Sequence, residues 1–151
     1  MPDSAQTLRV AALRLLTRRD HSRAELAEKL QAQAESGEML EAVLDRLQAE
    51  NLLSDQRYAR QRVSSRGTRY GNARLRQELQ QQGVSQSDIE TALPEAGDEA
   101  ARCQQVWAKK FKSAPATLEE RAKQTRFLQY RGFSGEAIRQ VLRQCTHGAE
   151  E

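Results

Sequence analysis

Leucines 30, 79 and 128 stand 49 residues apart, and a helical pattern travels with them. Ten residues after each comes Leu40, Ile89 or Ile138, fourteen after each Leu44, Leu93 or Leu142, and six after each Ser36, Ser85 or Ser134. Val10, Ala59 and Ala108 fall into a further column, as do Ala24, Ala73 and Ala122. A period of this length marks tandem copies of one small unit that cannot bury its apolar face alone. The 151 residues thus divide into three copies, 4–53, 54–97 and 98–145, each leaning on its neighbour. Such an array offers an extended surface, which suits a large partner.

Each copy reads as three helices. In the first, Leu8, Ala12, Leu15 and Leu16 mark one face of a helix from about Ser4 to Arg18. Ser22-Arg23-Ala24-Glu25 is a capping box for a second helix, whose buried face carries Leu26 and Leu30. A third follows Ser36, with Leu40, Val43, Leu44 and Leu47 at three- and four-residue spacing. Ser54, Asn72 and Ser85 are positioned to cap the helices of the second copy. In the third copy, Asp98 to Lys112 carries Val106, Trp107 and Phe111 as core, Thr117 to Glu120 forms another capping box, and Ser134 opens the last helix. Gly83 and Gly132 share a slot after the second helix, where a left-handed residue closes a helix at little cost. Ala34 fills that slot in the first copy, so its connection should differ. Pro94 and Pro115 fall at helix ends, and residues 1–3 and 146–151 are expected to fray. No strand-like alternation is present, and the expected fold is all-α.

Abundant Ala, Leu, Gln, Glu and Arg agree with helix. The net charge is only +3, but Lys and Arg against Asp and Glu run 7 to 9, 7 to 7 and 10 to 5 over residues 1–50, 51–100 and 101–151. Basic surface therefore accumulates toward the C-terminal side and favours an acidic partner. Cys103 and Cys145, without a CxxC or a secretory segment, read as free thiols of a reducing cytoplasm. No apolar run is long enough to span a bilayer. A cytoplasmic protein without membrane contact is expected, as a monomer, because the repeat cores account for the apolar residues.

The sharpest local feature is Arg57 to Arg76, with seven arginines (57, 60, 62, 66, 69, 74 and 76) and no acid between Asp55 and Glu78. Arginine binds phosphate or carboxylate in bidentate fashion, and Tyr70 can stack on a base or a neighbouring ring. Solvated helix faces are the alternative. Lys109, Lys110 and Lys112, with Arg121, Lys123, Arg126 and Arg131, make a looser second set. Gly67 and Gly71 are not a phosphate loop, since no Gly-Lys-Ser/Thr follows. His21 lies ahead of a helix with no second histidine before His147, which suits a turn residue with a local hydrogen bond and not a metal ligand or base. No catalytic grouping, metal set or cofactor motif emerges.

The run Tyr70-Gly71-Asn72-Ala73-Arg74-Leu75-Arg76-Gln77-Glu78-Leu79-Gln80-Gln81-Gln82-Gly83-Val84-Ser85 closely resembles the central signature of the RecX family, bacterial regulators of the RecA recombinase. Arg19-Asp20-His21-Ser22 with Glu25-Leu26, Asp55 with Tyr58-Ala59, and Phe127 to Phe133 agree with it, so the resemblance runs from about Leu8 to Leu142. A proline is common in the family near Asn72; its absence is met by the capping ability of Asn.

The resemblance implies a non-enzymatic regulator without a cofactor, built of tandem three-helix repeats in an elongated, curved body. Such a body would lodge in the groove of the RecA–single-stranded-DNA filament and damp ATP hydrolysis, strand exchange and co-protease action. Together with the basic sets it nominates Arg66, Arg69, Tyr70, Arg74, Arg76, Lys109, Lys110, Lys112, Arg126 and Arg131 as contacts to RecA, with single-stranded DNA as a further candidate partner. Two rivals come from other classes. A free-standing helix-turn-helix-like DNA-binding protein would bind DNA without RecA, although the helices opening at Ser85 and Ser134 begin with no clear recognition residues. A general helical scaffold would bind neither.

Overall fold

A computed structural model describes the backbone of residues 3–150 and the side chains of 3–146. Among the described residues the chain is helical with no strand: α1 Ser4–Arg18, α2 Arg23–Leu30, α3 Gly37–Ala49, α4 Asp55–Arg66, α5 Asn72–Gln81, α6 Gln86–Ala92, α7 Glu99–Lys110, α8 Leu118–Tyr130 and α9 Gly135–Glu150. Short 3-10 turns cover Gln31–Gln33 and Leu93–Ala96. The helices form two compact units, one of residues up to Ala59 with Leu79–Ile89, the other of Arg60–Glu78 with residues from Glu90 onward.

The caps explain where most helices start. Side-chain oxygens of Ser22, Ser36, Ser54, Ser85, Asp98, Thr117 and Ser134 each accept the backbone N–H three residues on, at 3.0–3.2 Å. Each bond satisfies one of the orphan donors of a helix's first turn. Asn72 departs from its expected role. It is the first residue of α5, the Leu75 N–H bonds to the Gly71 carbonyl at 3.1 Å, and the Asn72 side chain is taken by Arg102. The ends differ from expectation too. Asp3 caps α1 and α9 continues to Glu150, while residues 1, 2 and 151 lie outside the described residues. Phe111 falls just past α7, half-buried, with its ring edge-on to Phe127 at 5.4 Å.

In the first unit, Leu8, Ala12, Leu26, Leu30, Leu40, Val43, Leu44, Leu47 and Leu53 form one buried cluster. In the second, Cys103, Val106, Trp107, Leu128, Phe133, Ala137, Ile138, Val141 and Leu142 form another. Both cysteines are free thiols, and burial pushes Cys103 up to about 12. The 49-residue period holds for the start of α2 and α5 and of α3 and α6, but not for the first helices, which start 51 and then 44 residues apart. Hence Val10, Ala59 and Ala108 are not equivalent: Ala59 is fully buried, whereas Val10 and Ala108 are exposed. The buried columns are Leu8, Ala59 and Cys103, then Ala12, Val63 and Trp107. Connector lengths vary between copies, and burial follows the helix rather than the count. The repeat cores do not absorb every large apolar side chain, since Val10, Leu52, Leu118 and Tyr130 are exposed.

One joint recurs inside each unit. In the first, Ser22 Oγ donates to the Gln82 carbonyl at 2.7 Å and the Arg23 N–H donates to Asp55 Oδ1 at 2.7 Å. In the second, the Gly71 N–H donates to the Arg131 carbonyl at 2.8 Å and the Asn72 N–H to Glu99 Oε2 at 2.8 Å. Each time, the start of a second helix is capped by the first acid of the next copy's first helix and docks on the turn closing that copy's second helix. Those turns are Gly83 (φ 78°) and Gly132 (φ 92°), left-handed as expected, whereas Ala34 (φ −80°) follows a 3-10 turn instead. A Cβ on Gly132 would lie 2.4 Å from the Arg74 Cβ, and one on Gly71 would lie 2.3 Å from the Gly132 carbonyl oxygen.

His21, next to the first joint, is 2 % exposed. Its Nδ1 lies 3.1 Å from the Arg19 carbonyl and its Nε2 3.2 Å from Lys29 Nζ, which suits a neutral ring donating from Nδ1 and accepting at Nε2. Burial, with the Arg19 and Lys29 charges adding to it against the Arg19 carbonyl and Glu25, holds its pKa below the ordinary 6.5.

Two outcomes are expected. Gly132→Ala should lower urea-unfolding stability by about 2 kcal/mol or more, from the left-handed backbone and the contact with Arg74. Gly37→Ala, with open space around its Cβ, should stay within about 1 kcal/mol of the parent. The second concerns pH. Because the unfolded chain binds a proton at position 21 more readily than the folded one, stability should fall as pH drops below 6.5. His21→Gln should flatten that slope in denaturant titrations between neutral pH and the onset of carboxylate protonation.

Candidate partner-binding surface

The nominated residues all lie in the second unit. The connector from Gly67 to Gly71 is fixed from beneath by Arg102 of α7, 8 % exposed. Its Nη1 donates to the carbonyls of Gly67 (3.1 Å) and Tyr70 (2.9 Å), its Nε to the Gly97 carbonyl (3.4 Å), and its Nη2 to Asn72 Oδ1. Burial lowers the Arg102 pKa, opposed by Glu99 and Asp98. A buried guanidinium is tolerated only when its donors are satisfied, and the connector's arrangement supplies those acceptors.

The connector presents Tyr70 to four guanidiniums. Arg74, Arg66, Arg131 and Arg69 lie 4.3, 4.7, 5.4 and 5.8 Å from its ring centroid, within the range of cation–π attraction. The ring gathers cations, and stacking on a base is not the role its surroundings favour. Arg66 is also held by Glu78, Nε to Oε2 at 2.6 Å and Nη2 to Oε1 at 2.7 Å, with Arg74 Nε at 3.5 Å from the same carboxylate. Burial works against the Glu78 charge, but Arg66 and Arg74 together outweigh it and leave its pKa lowered. Arg76 pairs with Glu90 at 2.6 Å, which raises the arginine's pKa and lowers the glutamate's. Arg57 is drawn to Asp20 within the first unit, at 3.0 Å. The segment without acids in sequence is therefore partly neutralised in space.

Four cations without a carboxylate partner among the described residues meet in one groove of about 280 Å³: Arg69, Lys109, Lys110 and Arg131, with Thr68, Val106 and Phe127. Arg131 lies 5.3 Å and Lys110 5.5 Å from the Phe127 ring centroid, and Arg131 Nη1 donates to the Arg69 carbonyl at 3.4 Å. Lys112 and Arg126 are exposed and do not line this groove. The structure thus joins Arg66, Arg69, Tyr70, Arg74 and Arg131 around one ring, joins Arg69 and Arg131 to Lys109 and Lys110, and sets Arg76, Lys112 and Arg126 apart. Sequence reasoning missed Arg102, Thr68 and Phe127. A usable signal existed for Arg102, because Arg102, Cys103, Val106 and Trp107 follow the three- and four-residue spacing of a buried stripe.

The fold and this surface define a tandem three-helix-repeat protein with a cationic groove. Family models agree in detail: the first, second and third three-helix domains of RecX match residues 9–47, 54–93 and 97–142. The chain belongs to the RecX family. Regulatory protein RecX of Ralstonia nicotianae is 49% identical over 75 residues, 50% of this chain and 47% of that relative. The namesake of Pseudomonas fluorescens is 46% identical over 75 residues, 49% of this chain and 48% of the relative. The matches thus span about half the length of the curated relatives. Two crystal structures share the fold: one of regulatory protein RecX (TM-score 0.78, 24% identity, 92% of this chain and 73% of that one) and one of RecX from Lactobacillus salivarius (TM-score 0.83, 18% identity, 97% and 99%). Among the described residues no helix is long and apolar enough to cross a membrane, and no cluster of His, Cys, Asp and Glu could hold a metal ion.

Arg102→Met, which keeps the bulk and removes the donors, should destabilise the chain by about 3 kcal/mol, since four acceptors lose their donor, the buried Gly67 carbonyl among them. Thermal unfolding followed by circular dichroism checks this; an unchanged midpoint would show that the connector does not depend on Arg102.

Proposed function

We propose that this chain is a negative modulator of RecA. It binds as a monomer in the groove of the RecA–single-stranded-DNA filament, in the cytoplasm, and inhibits ATP hydrolysis, strand exchange and co-protease activity without catalysing a reaction itself. Family membership across all three repeat domains carries the reading. The copies 4–53, 54–97 and 98–145 are proposed as its structural units. The cation groove supports a contact role for residues of the second unit: Arg69, Lys109, Lys110 and Arg131 as the principal contacts, Lys112 and Arg126 as flanking charges. Arg66, Arg74 and Arg76 contribute less, because each already has a carboxylate partner, and Tyr70 organises the arginines around it. An ion pair must be broken or shared before such an arginine can serve a partner.

Titration of RecA's single-stranded-DNA-dependent ATP hydrolysis tests the function. Inhibition is expected well below one molecule per RecA protomer; no inhibition of active RecA would refute it. The site is tested by Arg69→Ala, Lys109→Ala and Lys110→Ala combined, expected to weaken inhibition about tenfold or more with helicity unchanged. Arg76→Ala alone should change it by less than about threefold.

A further inference from the structure

We propose that Thr68 is a phosphorylation site, and that its phosphate, seated among the cations of the groove, switches the contact surface off. This rests on the surface proposed above and names its regulation.

The acceptor is singled out by its neighbours. Thr68 is exposed, and among the described residues its hydroxyl is held by one long bond, Oγ1 to the Ser65 carbonyl at 3.4 Å. Arg66 and Arg69 flank it, and no acid lies between Asp55 and Glu78. That charge pattern suits a serine/threonine protein kinase that selects basic substrates. The hydroxyls of Ser22, Ser36, Ser54, Ser85, Thr117 and Ser134 are engaged in helix caps. Each of those also has an acid in the turn that follows, which would repel a phosphate. Ser64 and Ser65 share the acid-free stretch but do not line the groove.

The transfer is an ordinary phosphoryl transfer from a nucleoside triphosphate held by the kinase. A bond forms between Thr68 Oγ1 and the γ-phosphorus, and the bond from that phosphorus to the departing nucleoside diphosphate breaks. The hydroxyl proton passes to the kinase's base.

The groove then supplies the counter-charge. Thr68 belongs to its wall together with Arg69, Lys109, Lys110 and Arg131, and no carboxylate does. At neutral pH a phosphothreonine carries a charge of about −1.5 to −2 and three strong acceptor oxygens. The C-terminus of α4, which ends at Arg66, opposes it with roughly half a negative charge. Four full positive charges outweigh that. A groove of about 280 Å³ has room for a phosphoryl group, and guanidinium and ammonium donors make charge-assisted bonds to its oxygens. Arg102 holds the Gly67 and Tyr70 carbonyls on either side, so the acceptor stays at the groove. Cations that would meet a partner are taken up by the chain's own phosphate.

The full chain with phosphothreonine encoded at position 68 tests the seat. Phosphorus NMR should place the phosphate's second ionisation about 0.5 or more below its ordinary value of about 6. Combining the Lys109→Ala and Lys110→Ala changes with it should at least halve that displacement. Inhibition of RecA's ATP hydrolysis should be about tenfold weaker than with the unmodified chain. The folded, unmodified chain treated with ATP and a serine/threonine kinase of basic preference should gain phosphate at Thr68, read by mass spectrometry, and lose inhibition by the same factor. This second route starts from folded protein, so a folding failure of the encoded chain does not decide the matter. A phosphate that titrates at its ordinary value, or a modified chain that inhibits as well as the unmodified one, would overturn the proposal. So would phosphate on Ser64 or Ser65 with Thr68 left bare, or no incorporation. An unmodified chain that fails to inhibit active RecA refutes the function instead, while the phosphorus titration and the position of incorporation still decide this inference.

Discussion

The Arg102 guanidinium lies buried among the carbonyls of Gly67 and Tyr70 and the amide oxygen of Asn72, and the second unit's surface depends on it. An unpaired charge in such a place would be prohibitive, so the connector must curl to supply the acceptors. Curling brings the Gly71 N–H to the Arg131 carbonyl and the Asn72 N–H to Glu99. It also turns Tyr70 toward the arginines of α4, α5 and the α8–α9 turn. One buried charge thereby converts a small, polar, glycine-bearing segment into a fixed element that organises exposed charges.

Those exposed charges matter through their partners more than their number. Isolated surface ion pairs contribute little to stability, but they decide which cations remain available. Glu78 takes Arg66 and shares Arg74, Glu90 takes Arg76, and Asp20 takes Arg57. Arg69 and Arg131 escape, and Lys109 and Lys110 at the end of α7 join them. Their place in the last turn of a helix is favourable for cations in any case. The groove's charge is therefore the residue left after pairing.

Much of the fold was legible because it is written locally. Ser22, Ser36, Ser85, Thr117 and Ser134 announce helix starts through oxygens that can reach only nearby N–H groups, and Gly83 and Gly132 announce turns by lacking a Cβ. Non-local features were not legible. The alignment of Val10 with Ala59 and Ala108 failed because connectors change length between copies, and only packing shows that Leu8, Ala59 and Cys103 correspond. Asn72 looked like a cap because its type caps well, but a buried arginine 30 residues away claims its side chain. The basic run was visible, whereas its neutralisation by Glu78 and Glu90 depends on how α4, α5 and α6 fold back. Arg102 was hidden by its charge, which reads as surface until the stripe around it is noticed.

The most direct measurement of the central claim is amide hydrogen exchange on this chain, free and bound to the RecA–single-stranded-DNA filament. If the connector held by Arg102 presents the contact surface, added protection should fall on residues 68–72, 109–112 and 126–131. Protection confined to α1–α3, with the connector and the α7–α8 segments exchanging as in the free chain, would contradict that account.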